Sequence, residues 1–160
     1  MESDSQTLVG NDVIAAMGRK CLLLRMRLIS RVVGSIYEEA LQPFGIGAAQ
    51  FTSLVVIYQI QPATRAEIGR LLHQDPSTLT RNLRAILATG WAEEIRYRAD
   101  YKHRPDGRSR PIVLTTVGKD LVLRANPAWQ AAQVQVTNLL GKDGVIAVMD
   151  IAERIMDPTA

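Results

Sequence analysis

Residues 75–90 read DPSTLTRNLRAILATG, and this stretch predicts a capped amphipathic helix. Asp75 can cap its N-terminus, and Pro76 suits the first helical position because its missing N–H has no intrahelical partner there. Gly90 can close the far end, which gives a helix of roughly four turns. The apolar side chains fall on one side, at Leu79, Leu83, Ile86 and Leu87. We expect that side to be buried.

The other side of this helix is polar and, after the capping residue, contains no carboxylate. It carries hydroxyl, amide and guanidinium groups at Ser77, Thr78, Thr80, Arg81, Asn82 and Arg84. Such groups suit the phosphates and base edges of nucleic acid. A solvated polar face has the same composition, so the neighbouring segments decide between the two interpretations.

The flanking segments predict a helix-turn-helix followed by a β-hairpin wing. Upstream, Thr64 and Glu67 have the spacing of a capping box, which indicates a short helix separated from the next by a very tight turn. Downstream, Trp91 to Arg98 and Arg110 to Thr115 have strand character, with a polar loop between them. In such a module the first helix supports the second, which is free to enter a major groove.

The charge distribution favours nucleic acid as the partner, although a net charge of +3 is too small to imply one by itself. Residues 96–110 contain six basic and two acidic residues, a balance of +4, while the other residues sum to −1. A second basic run, from Arg19 to Arg31, is also consistent with the solvated face of a helix.

The composition excludes several classes of protein. With 160 residues, 47% of them hydrophobic, the chain can bury one core. Its apolar runs are far shorter than the roughly 20 residues that cross a bilayer, and residues 1–11 lack a signal-peptide pattern, so we expect a cytoplasmic protein without membrane contact. A single cysteine and two separate histidines give no disulfide framework and no metal site. No catalytic pair or Gly-rich phosphate loop can be assembled, so we expect neither an enzyme nor a cofactor.

The two ends of the chain are predicted to be helical. One uninterrupted helix runs from Asn11 to about Leu41, and its length of some 45 Å suggests that it meets another chain. A second runs from Thr116 to about Leu140, where Pro127 should kink or divide it and Gly141 should end it. A last helix covers Asp143 to Met156. We therefore expect a helical dimerisation region, residues 11–42 and 116–157, around a winged helix-turn-helix domain at residues 46–115.

The order of these elements, together with DPSTLTRNL, ATGW and DGRSRPIVLTTVGK, resembles the MarR family of bacterial winged-helix transcriptional regulators. The resemblance covers about Val13 to Ile155. The family commonly shows Asp-x-Arg, then Leu-Thr eight residues after the Asp, and then a Gly. Here Asp106, Arg108, Leu114, Thr115 and Gly118 occupy those places. Gly107 departs from the pattern, and the segment from Gly90 to Leu114 is about half a dozen residues longer than the usual wing.

The resemblance implies a mainly α protein with a small β-hairpin wing. It also implies a homodimer that binds a palindromic operator in double-stranded DNA by placing its two recognition helices in the major groove. The residues expected at the DNA are Ser77, Thr78, Thr80, Arg81, Asn82, Arg84, Arg104, Asp106, Arg108 and Arg110. Among these, Arg108 would reach the minor groove and Asp106 would orient the wing arginines. The resemblance further implies a repressor whose DNA affinity is altered by a small aromatic or phenolic effector.

Other interpretations remain open at this point. One branch of the family senses hydroperoxides through a thiol, so Cys21 is a candidate redox sensor, although it lies in the apolar stripe of its helix, as a structural cysteine would. Trp129, Tyr37 and Arg31 are candidates to line an effector crevice, and packing in the core also explains Trp129. A winged helix that binds protein rather than DNA is the alternative function.

Overall fold

A computed structural model describes residues 13–96 and 110–156. In chain order the elements are α1 (residues 13–20), α2 (Leu22–Leu41), a 3-10 turn (Gln42–Phe44), α3 (Ala48–Ile60), α4 (Arg65–Leu71), α5 (Pro76–Ala88), β1 (Ala92–Glu94), β2 (Ile112–Leu114) and α6 (Thr116–Met156). The chain divides into two compact units, Met1–Ser35 and Ile36–Ala160. The expected mainly α fold with one small hairpin is confirmed. In the part of the chain that is described, no single helix is long and apolar enough to cross a membrane.

The first unit contains α1 and the beginning of α2, and the prediction of one uninterrupted helix was wrong. Helical structure is broken at Cys21. The Cys21 thiol accepts a hydrogen bond from the Leu24 N–H at 3.4 Å, as an N-cap side chain does. The Arg25 guanidinium donates to the Arg19 carbonyl at 2.7 Å and so satisfies an acceptor at the end of α1. In this structure the half-buried thiol therefore caps α2.

The core of the second unit lies between α3, α4, α5, the hairpin and the first part of α6. The predicted apolar side of α5 is confirmed, because Leu79, Leu83 and Ile86 are buried and Leu87 packs against the same cluster. Other fully buried large side chains include Leu41, Leu54, Ile57, Ile68 and Ile112. Trp91 and Trp129 are partly buried against this cluster, which agrees with a packing role for both.

The hairpin is antiparallel, with Ala92 opposite Leu114 and Glu94 opposite Ile112. Its strands are shorter than predicted among the described residues. A third segment, which the sequence did not reveal, joins it: Ala63 and Ile112 exchange two backbone hydrogen bonds, of 3.1 and 2.7 Å. The Gln61 side-chain carbonyl also accepts from the Leu114 N–H at 2.8 Å. The wing is thus attached to the segment between α3 and α4.

The end of α5, the hairpin and the start of α6 meet at four residues, Gly90, Trp91, Thr115 and Gly118, which we call the hairpin root. The Thr115 hydroxyl donates to the Gly90 carbonyl at 2.7 Å and accepts from the Gly118 N–H at 3.1 Å, which caps α6. The Thr115 N–H donates to the Trp91 carbonyl at 3.1 Å. A Cβ atom on Gly118 would lie 1.9 Å from that same carbonyl oxygen, so only glycine fits. The Leu-Thr-x-x-Gly pattern thus has a structural cause.

The last helix is interrupted at Gly141, as predicted, where φ is 68° and ψ is 170°. Pro127 lies inside the helix, and the helix is not divided there. Proline removes one hydrogen bond to the carbonyl four residues earlier, which belongs to Leu123. Both Leu123 and Pro127 are exposed, so water can replace the lost donor.

Candidate nucleic-acid interface

Helices α4 and α5 form the predicted helix-turn-helix. The Glu67 carboxylate accepts from the Thr64 N–H at 2.7 Å, and the Thr64 hydroxyl accepts from the Glu67 N–H at 3.2 Å, which completes the capping box of α4. The tight turn that follows includes His73 with a φ of 47°. A Cβ atom on Gly69 would lie 3.0 Å from the Leu79 side chain, so the two helices approach closely.

Asp75 caps α5 with four hydrogen bonds. Its carboxylate accepts from the N–H groups of Ser77 and Thr78 at 3.0 Å each, and from both hydroxyls at 2.6 Å. The Ser77 hydroxyl, the Thr78 hydroxyl and then the backbone donors hold the pKa of the Asp75 carboxyl well below its usual range. The first turn of α5 is therefore fixed by an ionised carboxylate at neutral pH.

Five of the six predicted residues on α5 share an exposed face: Ser77, Thr78, Thr80, Arg81 and Arg84. The hydroxyl protons at the front of this face are used within the protein, since Thr80 donates to the Pro76 carbonyl at 2.6 Å just as Ser77 and Thr78 donate to Asp75. The hydroxyl oxygens keep lone pairs, and the two guanidinium groups supply the donors. This mixture can contact both phosphates and base edges.

Asn82 has different contacts from its neighbours on α5. It is half-buried, and its side-chain amide donates to the Ser53 hydroxyl at 2.6 Å and to the Ala49 carbonyl at 3.3 Å. Both partners lie on α3. The side-chain N–H groups of Asn82 are therefore directed into the protein, whereas the sequence placed this residue with the DNA contacts.

At the base of the wing, Glu94 binds two arginines. Its carboxylate lies 2.5 Å from the Arg65 guanidinium and 4.0 Å from that of Arg110. Arg110 is exposed, as a DNA contact must be, while the predicted wing-tip residues Arg104, Asp106 and Arg108 lie outside the described residues. Sequence reasoning missed Arg65 and Glu94, because 29 residues separate them and no local pattern connects them.

Tyr37 and Arg31 are the other residues expected to line an effector crevice. The Tyr37 hydroxyl donates to the side-chain carbonyl of Gln133, and burial raises the pKa of this tyrosine. In the first unit, Arg31 is exposed next to Arg27. Among the described residues, no group of three or more His, Cys, Asp or Glu side chains could hold a metal ion.

These elements together define a winged helix-turn-helix protein. No protein-family model matches the chain. The uncharacterized HTH-type transcriptional regulator YwoH of Bacillus subtilis is 27% identical over 94 residues, which make up 59% of this chain and 64% of YwoH. The match therefore spans less than two thirds of the length of that relative.

Solved structures match over more of the chain. The M. tuberculosis transcriptional regulator MosR, in complex with DNA, is 29% identical with a TM-score of 0.69, covering 85% of this chain and 94% of MosR. A mutant of MarR from E. coli, complexed with operator DNA, is 24% identical with a TM-score of 0.71, covering 91% and 97% of the two chains. The resemblance found in the sequence is confirmed, since these structural neighbours are MarR-family regulators and share the winged-helix fold of this chain.

Proposed function

We propose that this protein is a sequence-specific DNA-binding repressor that places α5 in the major groove. The observation that supports this most is the exposed face of α5, where two arginines and three hydroxyls project from a helix whose opposite side is buried. MosR, which is 29% identical, is a transcriptional regulator whose structure includes DNA. Arg81 and Arg84 would supply the donors for guanine edges and phosphates.

Two substitutions test this proposal on DNA from the promoter of the protein's own gene. Arg108→Ala should weaken binding to all sequences and reduce the salt dependence, because it removes a phosphate or minor-groove contact. Arg81→Ala should in addition change the preferred sequence. If neither substitution alters affinity, the proposal is wrong. A protein that shifts no DNA at low salt but co-purifies with another protein would instead support the protein-binding alternative.

We further propose that the active form is a homodimer. Large apolar side chains are exposed in the first unit, at Ile14, Met17, Leu22, Leu23 and Met26. Others are exposed along α6, at Val134, Leu139, Ile146, Met149 and Ile155. Soluble monomers rarely expose contiguous apolar patches of this kind, so a second copy is the expected cover. The two α5 helices would then read half-sites about 34–36 Å apart.

The oligomeric state is measured by sedimentation at the concentrations used for DNA binding. Leu23→Glu should shift the chain toward the monomer and lower its DNA affinity, because a charge in an apolar interface is costly to desolvate. A wild-type chain that binds DNA as a monomer would contradict the dimer.

The expected effector has a candidate site in the second unit. A cavity of about 220 Å³ lies between α3, β2 and α6, and its lining is mostly apolar: Val55, Tyr58, Leu114, Lys119, Val122 and Leu123. The Lys119 ammonium lies 5.9 Å from the centre of the Tyr58 ring. One cation in an apolar lining favours a small aromatic anion. Because Leu114 belongs to β2, a ligand there would contact the wing directly.

Titration with benzoate tests this site. The wild-type chain should bind benzoate, Lys119→Met should bind it more weakly, and Lys142→Met, which removes an exposed lysine after Gly141, should bind like the wild type. Benzoate should also change the affinity of the protein for DNA, because a ligand that binds one conformation better than another shifts the protein toward that conformation. Equal binding by the two variants would exclude this cavity.

A further inference from the structure

We propose that Asn82 is a positioning residue that fixes the rotation of α5 through Ser53 and Ala49, and so determines which bases the exposed face of α5 meets. This inference rests on the proposed DNA-binding function. We call the three residues the Asn82 cluster. Their role differs from that of Arg81 and Arg84, which would touch the DNA themselves.

The hydrogen bonds of the cluster form an ordered set. Ser53 is fully buried, and its hydroxyl donates to the Ala49 carbonyl at 2.9 Å. The same hydroxyl accepts from the Asn82 amide at 2.6 Å, while the amide also donates to the Ala49 carbonyl at 3.3 Å. The Ser53 hydroxyl therefore acts once as donor and once as acceptor, and α5 is joined to one turn of α3 at two points.

The other contacts of α5 with the core have no comparable directionality. Leu79, Leu83 and Ile86 pack by apolar contact, which tolerates small rotations. Within the described residues, Asn82 makes the only side-chain hydrogen bonds between α5 and α3. Hydrogen bonds weaken steeply with distance and angle, so this cluster restricts the rotation of α5 against α3.

A small rotation would matter for base recognition. Side-chain tips on a helix lie about 5–6 Å from its axis, so a rotation of about 10° moves a tip by about 1 Å. A displacement of that size takes a donor and an acceptor out of hydrogen-bond range. Contacts to base edges depend on that geometry, whereas phosphate contacts through long arginine side chains are more tolerant. Loss of the cluster should therefore reduce the discrimination between DNA sequences more than it reduces the affinity for DNA in general.

Asn82→Leu is the main test, because it leaves the Ser53 hydroxyl bonded to Ala49 and strands no buried polar group. The probe is the DNA sequence that the wild-type chain selects from a random pool, together with every single-base substitution of it. We expect discrimination to fall by about tenfold at several positions, with the salt dependence of binding unchanged. Asn126→Leu, the same substitution at an exposed site on α6, is the matched control and should behave like the wild type.

Ser53→Ala separates positioning from direct contact. It removes a buried partner of Asn82 without altering the surface of α5, so it should reduce discrimination in the same direction. It also tests the proposal if Asn82→Leu does not fold. If Asn82→Leu affects a single base pair and Ser53→Ala none, Asn82 contacts that base itself and the inference is wrong. Unchanged discrimination in both variants would also refute it, whereas a wild-type chain that selects no sequence would refute the proposed function.

Discussion

Substitution of Gly118 by alanine should destabilise the folded chain by about 3–5 kcal/mol, a large change for one methyl group. The added Cβ would lie 1.9 Å from the Trp91 carbonyl oxygen and 2.8 Å from its carbon. Both neighbours are backbone atoms, so no rotamer change relieves the overlap. The first turn of α6 and the Trp91 backbone would have to separate by about 1 Å before the closest contact reached 3.0 Å.

That separation determines how much folding stability is lost. The Trp91 carbonyl accepts from the Thr115 N–H and from the Thr115 hydroxyl, each at 3.1 Å, and it shares the hydroxyl proton with the Gly90 carbonyl; a shift of about 1 Å breaks both contacts to Trp91. Each is worth about 1 kcal/mol, and overpacking adds about 1–3 kcal/mol.

Urea unfolding followed by circular dichroism, at a fixed protein concentration, measures this effect. The matched control is Gly34→Ala in α2, where a Cβ atom would meet nothing within 4 Å. There alanine should stabilise the helix by about 0.5–1 kcal/mol. If Gly118→Ala unfolds within about 0.5 kcal/mol of the wild type, the account of the hairpin root is incorrect.

Three further substitutions, one of them paired with a control, test other parts of the structure. Asp75→Ala should lower the thermal midpoint at pH 7, and the difference should shrink as the pH falls below 3.8, because a depressed native pKa stabilises the fold only while the carboxylate is ionised. Leu83→Ala, which truncates a fully buried side chain, should cost about 2–5 kcal/mol in urea unfolding, whereas the exposed Thr80→Ala should change stability by less than about 0.5 kcal/mol. Glu94→Gln should change stability by less than about 1 kcal/mol, because its ion pairs are partly exposed. Because it removes a negative charge beside Arg65 and Arg110, it should raise the affinity for DNA at low salt. Fluorescence anisotropy should show a smaller increase at high salt.

Features with a local cause could be predicted from the sequence. The cap at Asp75, the proline at the first position and the apolar period of α5 all act within one helix, and each is found in the structure. The capping box of α4 and the break at Gly141 are local in the same sense. The hairpin was also predictable, since strand character and a polar loop follow one another along the chain.

Features that depend on distant partners could not be predicted. The apolar stripe continues through Cys21, so periodicity alone gave no sign that its thiol would cap a new helix. A helical projection places Asn82 at the shoulder of the polar face, and its partner Ser53, 29 residues away, is what turns it inward. The pairing of Ala63 with Ile112 is equally invisible, because a single residue carries no strand pattern.

The hairpin root has a consequence for how far the wing can vary in length. Thr115 and Trp91 are separated by 24 residues along the chain, yet they are joined by direct hydrogen bonds. The entropy of closing such a loop grows only with the logarithm of its length, so half a dozen additional residues cost about 0.3 kcal/mol. Insertions between the strands should therefore cost little stability, while the hydrogen bonds of the hairpin root keep the end of α5 joined to the start of α6. Wing length and recognition-helix geometry can accordingly change independently of each other over evolution.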